Sequence, residues 1–171
     1  MQKSKKKKLK TRRKLVVESG EQLDTWGTPE EVLDIVRGTF GGITLDLASS
    51  AEANKLVRAP KYYSETQPCP EEPPSSGEIV WCNPPGPVEK VRWFWLVWMW
   101  CVSQGAEGAF LIFNLDHWRT LAKPDASGPP LYVSLPRSRL RFVGAPAQYN
   151  HPSGIVSTKS LWHFDGNVAR W

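Results

Sequence analysis

The chain has 171 residues, enough for one domain with a real hydrophobic core and too few for two comfortable ones. Forty per cent hydrophobic residues, 11% aromatics and nine tryptophans exclude a chain that is disordered throughout. The net charge of +5 belongs to one end: nine of the 22 basic residues lie within Lys3–Lys14, and the remainder sets 13 basic against 17 acidic residues, about −4.

Residues 1–20 are therefore expected to form a disordered basic tail and residues 21–171 the folded domain. Neighbouring ammonium groups repel, and long charged side chains lose too much entropy to pack, so Lys5, Lys6, Lys7, Lys8, Arg12 and Arg13 await a polyanion. Phosphate binding by counterion release is the functional expectation, with a solvated solubility or localisation tail as the alternative. Cys69, Cys82 and Cys101 are odd in number, far apart and without CxxC spacing or a histidine partner, which points to no disulfide framework, no zinc site and a reducing compartment. The longest apolar run, Trp93–Val102, is about half of a membrane-spanning helix, so no membrane partner is expected. The location expected is the cytoplasm, that of a host if the chain is phage-encoded.

Thr28-Pro-Glu-Glu reads as a helix start, with Thr28 as cap, Pro29 in the first turn and Glu31 completing a capping box. Val32, Leu33, Ile35, Val36 and Phe40 give that helix an apolar face, and Gly41-Gly42 ends it. Ile43–Ala48 is a short apolar strand that carries Asp46 to its C-terminal end, where open α/β sheets bind ligands. Pro68–Gly77 is a proline-rich loop without periodicity; its Pro-Cys-Pro has a faint likeness to the nucleophile motif of cytosine-C5 methyltransferases, and nothing around it supports that role.

Glu78–Cys82 is the next strand, followed at once by Asn83-Pro-Pro-Gly-Pro and an apolar helix from Val88 to Ser103. Gly108–Phe113 is a buried strand, and Leu131–Leu135, Leu140–Val143 and Ser160–Phe164 are later strand candidates. Early alternation of strand and helix with strands dominating late gives an α/β class: a mostly parallel sheet flanked by helices, with an antiparallel edge hairpin.

Asn83-Pro84-Pro85-Gly86 at a strand end reads, alone, as a turn. It also has the parts needed to activate a planar amine whose lone pair is delocalised into a ring. An Asn oxygen and the carbonyl of the following Pro each accept one N–H and draw the nitrogen toward tetrahedral geometry, and the two prolines stiffen the loop that aims them.

Five stretches in order, Asp24-Thr-Trp-Gly-Thr-Pro, Leu45-Asp-Leu-Ala, Asn54 with Lys61-Tyr-Tyr, Val80-Trp-Cys-Asn-Pro-Pro and Arg137-Ser-Arg-Leu-Arg-Phe, resemble the phage-type DNA adenine-N6 methyltransferases over about Asp24–Phe164. The resemblance implies a Rossmann-like methyltransferase fold with S-adenosylmethionine over the strand ends, acting on a base flipped out of double-stranded DNA. It places Trp26, Thr28 and Pro29 near the methionine part of the cofactor, Asp46 and Ala48 in the same pocket, and counts Asp24 and Asn54 with them. Asp46 can accept hydrogen bonds from the cofactor's ammonium or hydroxyls; a strand-terminal cap is the other role open to it. One departure stands out: Gly86 occupies the place where the family has Tyr or Phe, whose ring stacks on the flipped base. Stacking contributes roughly 1 to 3 kcal/mol per base, so base capture is weakened or the job falls to another ring, with Trp81 and Trp93 as candidates. Cytosine N4 as target, a catalytically weakened or inactive relative that binds DNA or cofactor, and methylation of RNA or a protein amide are the alternatives that follow.

Trp93, Phe94, Trp95, Trp98 and Trp100 put an aromatic on every face of one helix, which favours core plus a homodimer or partner contact over base stacking. Arg137, Arg139 and Arg141 alternate along an expected strand and would share one face, reading either as phosphate contacts or as a charged edge that prevents strand pairing. His117, beside Asp116, is given no role, because direct methyl transfer needs no strong base.

Overall fold

The computed structural model describes residues 26–121, 128–145 and 151–161, and the backbone of a strand at Val168–Arg170. The basic tail, Asp24 and the second half of the Ser160–Phe164 strand candidate lie outside the described residues.

Helix α1 spans Glu30–Phe40 and buries Val32, Leu33 and Val36, the 3.6-residue stripe read from the sequence. It ends at Gly41, whose φ of 83° is open to glycine at little cost and lets its N–H return to the Arg37 carbonyl at 2.8 Å. Its start differs from expectation. Pro29 occupies the cap position itself and no side chain caps the helix, so the Thr28–Glu31 capping box is not formed. Thr28 is instead buried, at 3% exposure.

Strand β1 is Leu45–Asp46, α2 is Asn54–Val57, β2 is Lys61–Tyr62, β3 is Ile79–Cys82, α3 is Val88–Ser103 and β4 is Glu107–Ile112. The last three strands are β5 at Tyr132–Ser134, β6 at Gly154–Ser157 and β7 at Val168–Arg170. They form one sheet in the order β2-β1-β3-β4-β6-β5-β7. The pairs β2·β1, β1·β3 and β3·β4 are parallel, and those of β4·β6, β6·β5 and β5·β7 antiparallel. The antiparallel edge is present and richer than a hairpin, because β6 inserts between β4 and β5. Leu140–Val143 is not a strand: only Val143 pairs, in an isolated bridge with Gly27.

Two cores flank the sheet. On one face α3 packs Trp95 and Trp98, stacked at 5.5 Å, against Leu45, Leu47, Val80, Cys82 and Phe110. On the other face α1 covers Trp81, Ala109, Leu111 and Ile155. Between β3 and β4 the approach is so close that a Cβ on Gly108, at φ 143°, would lie 1.9 Å from the Val80 carbonyl oxygen. Among the described residues no helix is long and apolar enough to cross a membrane.

Candidate functional site

The chain leaves β1 outward to β2, then crosses back over β1 to enter β3 on its other side. The gap beyond the C-terminal ends of β1 and β3 is thus the switch point at which open α/β sheets take ligands, and both Asp46 and Asn83 stand there. Asp46 pairs in register with Trp81, two residues before Asn83. Strand geometry separates Asp46 from Asn83 by about 4.8 Å sideways and about 7 Å along the sheet. Trp81 belongs to the core under α1, so Asp46 shares that face, while Leu45 and Leu47 turn to the other.

Asp46 is 1% exposed. Its Oδ1 accepts the Ala48 N–H at 3.1 Å, a tight turn that brings Ala48 and Ser49 alongside the carboxyl. Burial pushes the carboxyl up to about 7, against weaker downward pulls from the Ala48 N–H and the Ser49 side chain. Among the described residues no cation is among the groups that act on it, so the site has an acceptor for the ammonium or hydroxyl donors of a ligand.

The loop Asn83-Pro84-Pro85-Gly86 lies between β3 and α3, with Pro84 buried and the other three half-buried. Asn83 donates from Nδ2 to the Trp26 carbonyl at 3.3 Å, a partner that can only accept and so fixes which way the amide points. Its Oδ1 is buried and has no hydrogen-bond partner. An orphaned buried acceptor costs about 1–3 kcal/mol, and a planar NH2 is the kind of group that would satisfy it.

Trp26 is itself held by long-range contacts. Gly27 and Val143 exchange both backbone hydrogen bonds at 2.9 Å, and the Trp26 ring stacks on Phe142 at 6.2 Å. Phe142 in turn meets Phe113 at the end of β4, at 4.8 Å. Residues 135–145 therefore form a strap that runs from the end of β5 across the sheet's C-terminal edge to Trp26. Leu140 and Phe142 are buried along it while Arg137, Arg139 and Arg141 are exposed. The three arginines are exposed although the segment is no strand, and strict alternation holds only from Arg139 to Val143, because Ser138 is exposed too. Arg137, Ser138 and Arg139 also line a hollow of about 140 Å³ with Pro136, Pro152 and Ser153.

The structure thus brings Trp26, Thr28, Pro29, Asp46, Ala48 and Asn83 to one end of the sheet. Asn54 is employed differently: its Nδ2 donates to the Ala59 carbonyl at 2.9 Å and its Oδ1 accepts the Ala59 N–H at 3.0 Å, closing the turn into β2. Of the two rings considered as replacements at position 86, Trp81 is wholly buried under α1, and Trp93 packs edge-on against Phe94 at 4.7 Å. Burial pushes the Cys69 thiol up to about 12, which removes it as a nucleophile. His117, unassigned from sequence, lies on the 3-10 turn Leu115–Thr120 that follows β4. No local sequence signal marks it; its position follows only from the strand order.

A sheet wound outward in both directions from β1, with a buried carboxyl and an oriented amide at the switch point, defines a Rossmann-like methyltransferase fold. The family model for DNA N-6-adenine-methyltransferase (Dam) matches residues 17–154, and the chain belongs to that family. No curated protein and no solved structure is similar enough to match.

Proposed function

We propose that this chain transfers a methyl group from S-adenosylmethionine to N6 of an adenine flipped out of double-stranded DNA. The observation that carries the reading is the unpartnered Oδ1 of Asn83, aimed by the bond from its Nδ2 to the Trp26 carbonyl. Asn83 accepts one N–H of the amine and the Pro84 carbonyl the other, with Pro85 holding the loop stiff. As the two acceptors polarise the N–H bonds, the nitrogen lone pair would be freed from the ring for attack on a sulfonium methyl, whose carbon–sulfur bond would break to leave a neutral thioether while the nitrogen gives up one proton. The cofactor, when bound, supplies an activated methyl on a sulfonium. Asp46 is suited to its ammonium or hydroxyls, the turn at Ala48 to close approach, and Trp26, Thr28, Pro29 and Asp24 to its methionine end; Asn54 serves by holding the turn into β2.

Arg137, Arg139 and Arg141, together with Lys5, Lys6, Lys7, Lys8, Arg12 and Arg13, contact phosphates on either side of the flipped nucleotide. Leu96, 56% exposed on the tryptophan-rich helix, supports a homodimer through that face. The working place of such an enzyme is the cytoplasm, that of a host if a phage encodes it.

Nucleoside analysis of DNA from cells expressing the chain tests the reading. Wild type should yield N6-methyladenine and Asn83→Ala none. N4-methylcytosine instead would move the target to cytosine, whose exocyclic amine fits the same two acceptors. Gly86 favours a second reading, a relative that binds cofactor and DNA without turnover; cofactor binding with no methylated base would establish it.

A further inference from the structure

Two acceptors grip only the edge of an extruded base, and its faces, stripped of their stacking neighbours, need a ring or apolar cover. The loop that carries Asn83 ends in Gly86 and provides none. Any ring must come from a neighbouring element at the same edge of the sheet. Trp26, whose carbonyl holds Asn83, keeps its own ring buried against Phe142, whereas strand β4 lies directly beside β3, with Cys82 opposite Phe110, and its exit turn is a neighbouring element at that edge. That turn bears two rings, His117 and Trp118. Trp118 sits edge-on to Trp95 at 5.8 Å, packed against the core under α3.

The geometry points to His117 as the ring that clamps the flipped base in place of a side chain at position 86. The proposal rests on the reading of the Asn83 loop as a base site. His117 is half-buried and its backbone is fixed at both ends: its N–H donates to the Asn114 carbonyl at 2.9 Å, and its carbonyl accepts the Thr120 hydroxyl at 2.7 Å. The turn is also secured by the Asn114 side chain, which accepts the Asp116 N–H at 2.9 Å, and by the Leu115 N–H on the Pro152 carbonyl at 3.0 Å. Among the described residues the buried Nδ1 of its imidazole has no hydrogen-bond partner.

A ring held on a rigid turn with one of its two nitrogens unused is pre-organised for a ligand. It lies within electrostatic reach of Glu89 and Arg92, on the first turns of α3 just past Gly86, and of His151 and Asp116. Burial, His151 and Arg92 hold it below the usual histidine range, outweighing Asp116 and Glu89, so the ring is neutral at pH 7 and stacks as an aromatic.

The test compares binding of the full chain to two duplexes of one sequence, one fully paired and one with a single 2-aminopurine opposite an abasic site, which extrudes at little cost. Wild type should prefer the unpaired duplex by roughly ten- to a hundredfold and quench its fluorescence. His117→Ala should lose the preference while binding the paired duplex as before, His117→Phe should keep it, and His117→Ala combined with Gly86→Tyr should regain it. An undiminished preference in His117→Ala, or its loss in His117→Phe, overturns the proposal. Failure of the methyltransferase reading is seen separately, as absence of methylated adenine from wild type whose preference for the unpaired duplex depends on His117.

Discussion

Replacing Asp46 with asparagine isolates the energetic consequence of burying a carboxyl at the C-terminal end of the parallel strands. In the folded chain this group titrates near 7 rather than at its ordinary 3.8, because burial disfavours its charge. The unfolded chain ionises first, so over the interval between the two values the folded state holds the extra proton and stability falls as pH rises. At about 1.36 kcal/mol per pH unit, the whole interval is worth about 4 kcal/mol, and the part between pH 5 and pH 8 about 3 kcal/mol. The substituted side chain would still accept the Ala48 N–H, and its amide brings a constant offset that cancels when two pH values are compared. Urea unfolding of both chains at pH 5, 6, 7 and 8 should show Asp46→Asn gaining on wild type by about 3 kcal/mol across the series, or roughly 9 °C in melting temperature. The same substitution should weaken S-adenosylmethionine binding, and the wild-type dissociation constant should rise up to about tenfold per unit as pH falls below 7. Stability curves that run parallel from pH 5 to pH 8 would refute the reasoning, since they would mean the carboxyl is not held neutral by the fold.

Gly108→Ala should destabilise the chain by at least about 3 kcal/mol, because the new methyl falls on the β3 backbone at Val80 and the two strands must separate; chemical denaturation measures it. Arg139→Ala with Arg141→Ala should weaken DNA binding regardless of sequence and reduce the slope of log affinity against log salt by about 2, as read from fluorescence anisotropy at several salt concentrations. An unchanged slope would make these arginines a solvated face of the strap.

The parts of the fold that depend on neighbours in sequence were legible before any coordinates. Helix α3 spans the Val88–Ser103 range its apolar run indicated, and Asp46 ends β1 as the short apolar run that carries it suggested. What was not legible depends on partners far along the chain. Strand β6 escaped notice because Gly154–Ser157 is short and fully buried, with no alternation to betray it. Leu140–Val143 looked like a strand because a strap lying on a core also buries every second residue. The same limit applies to the site. That Asn83 opens a loop at the end of a strand was readable from sequence, but that its amide hangs from the Trp26 carbonyl, and that Asn54 is tied to Ala59, required the folded chain.

The bridge between Gly27 and Val143 has a consequence for how the protein comes into being. Trp26 orients Asn83 only while its own segment is pinned by Val143, a residue far along the chain from Gly27. Closing so long a loop is among the slowest steps open to a small domain. A nascent or prematurely terminated polypeptide that stops short of Val143 can build α1, α3 and the parallel strands yet leaves the amide of Asn83 untethered. The orientation of Asn83 is thus completed only once Val143 has joined the fold.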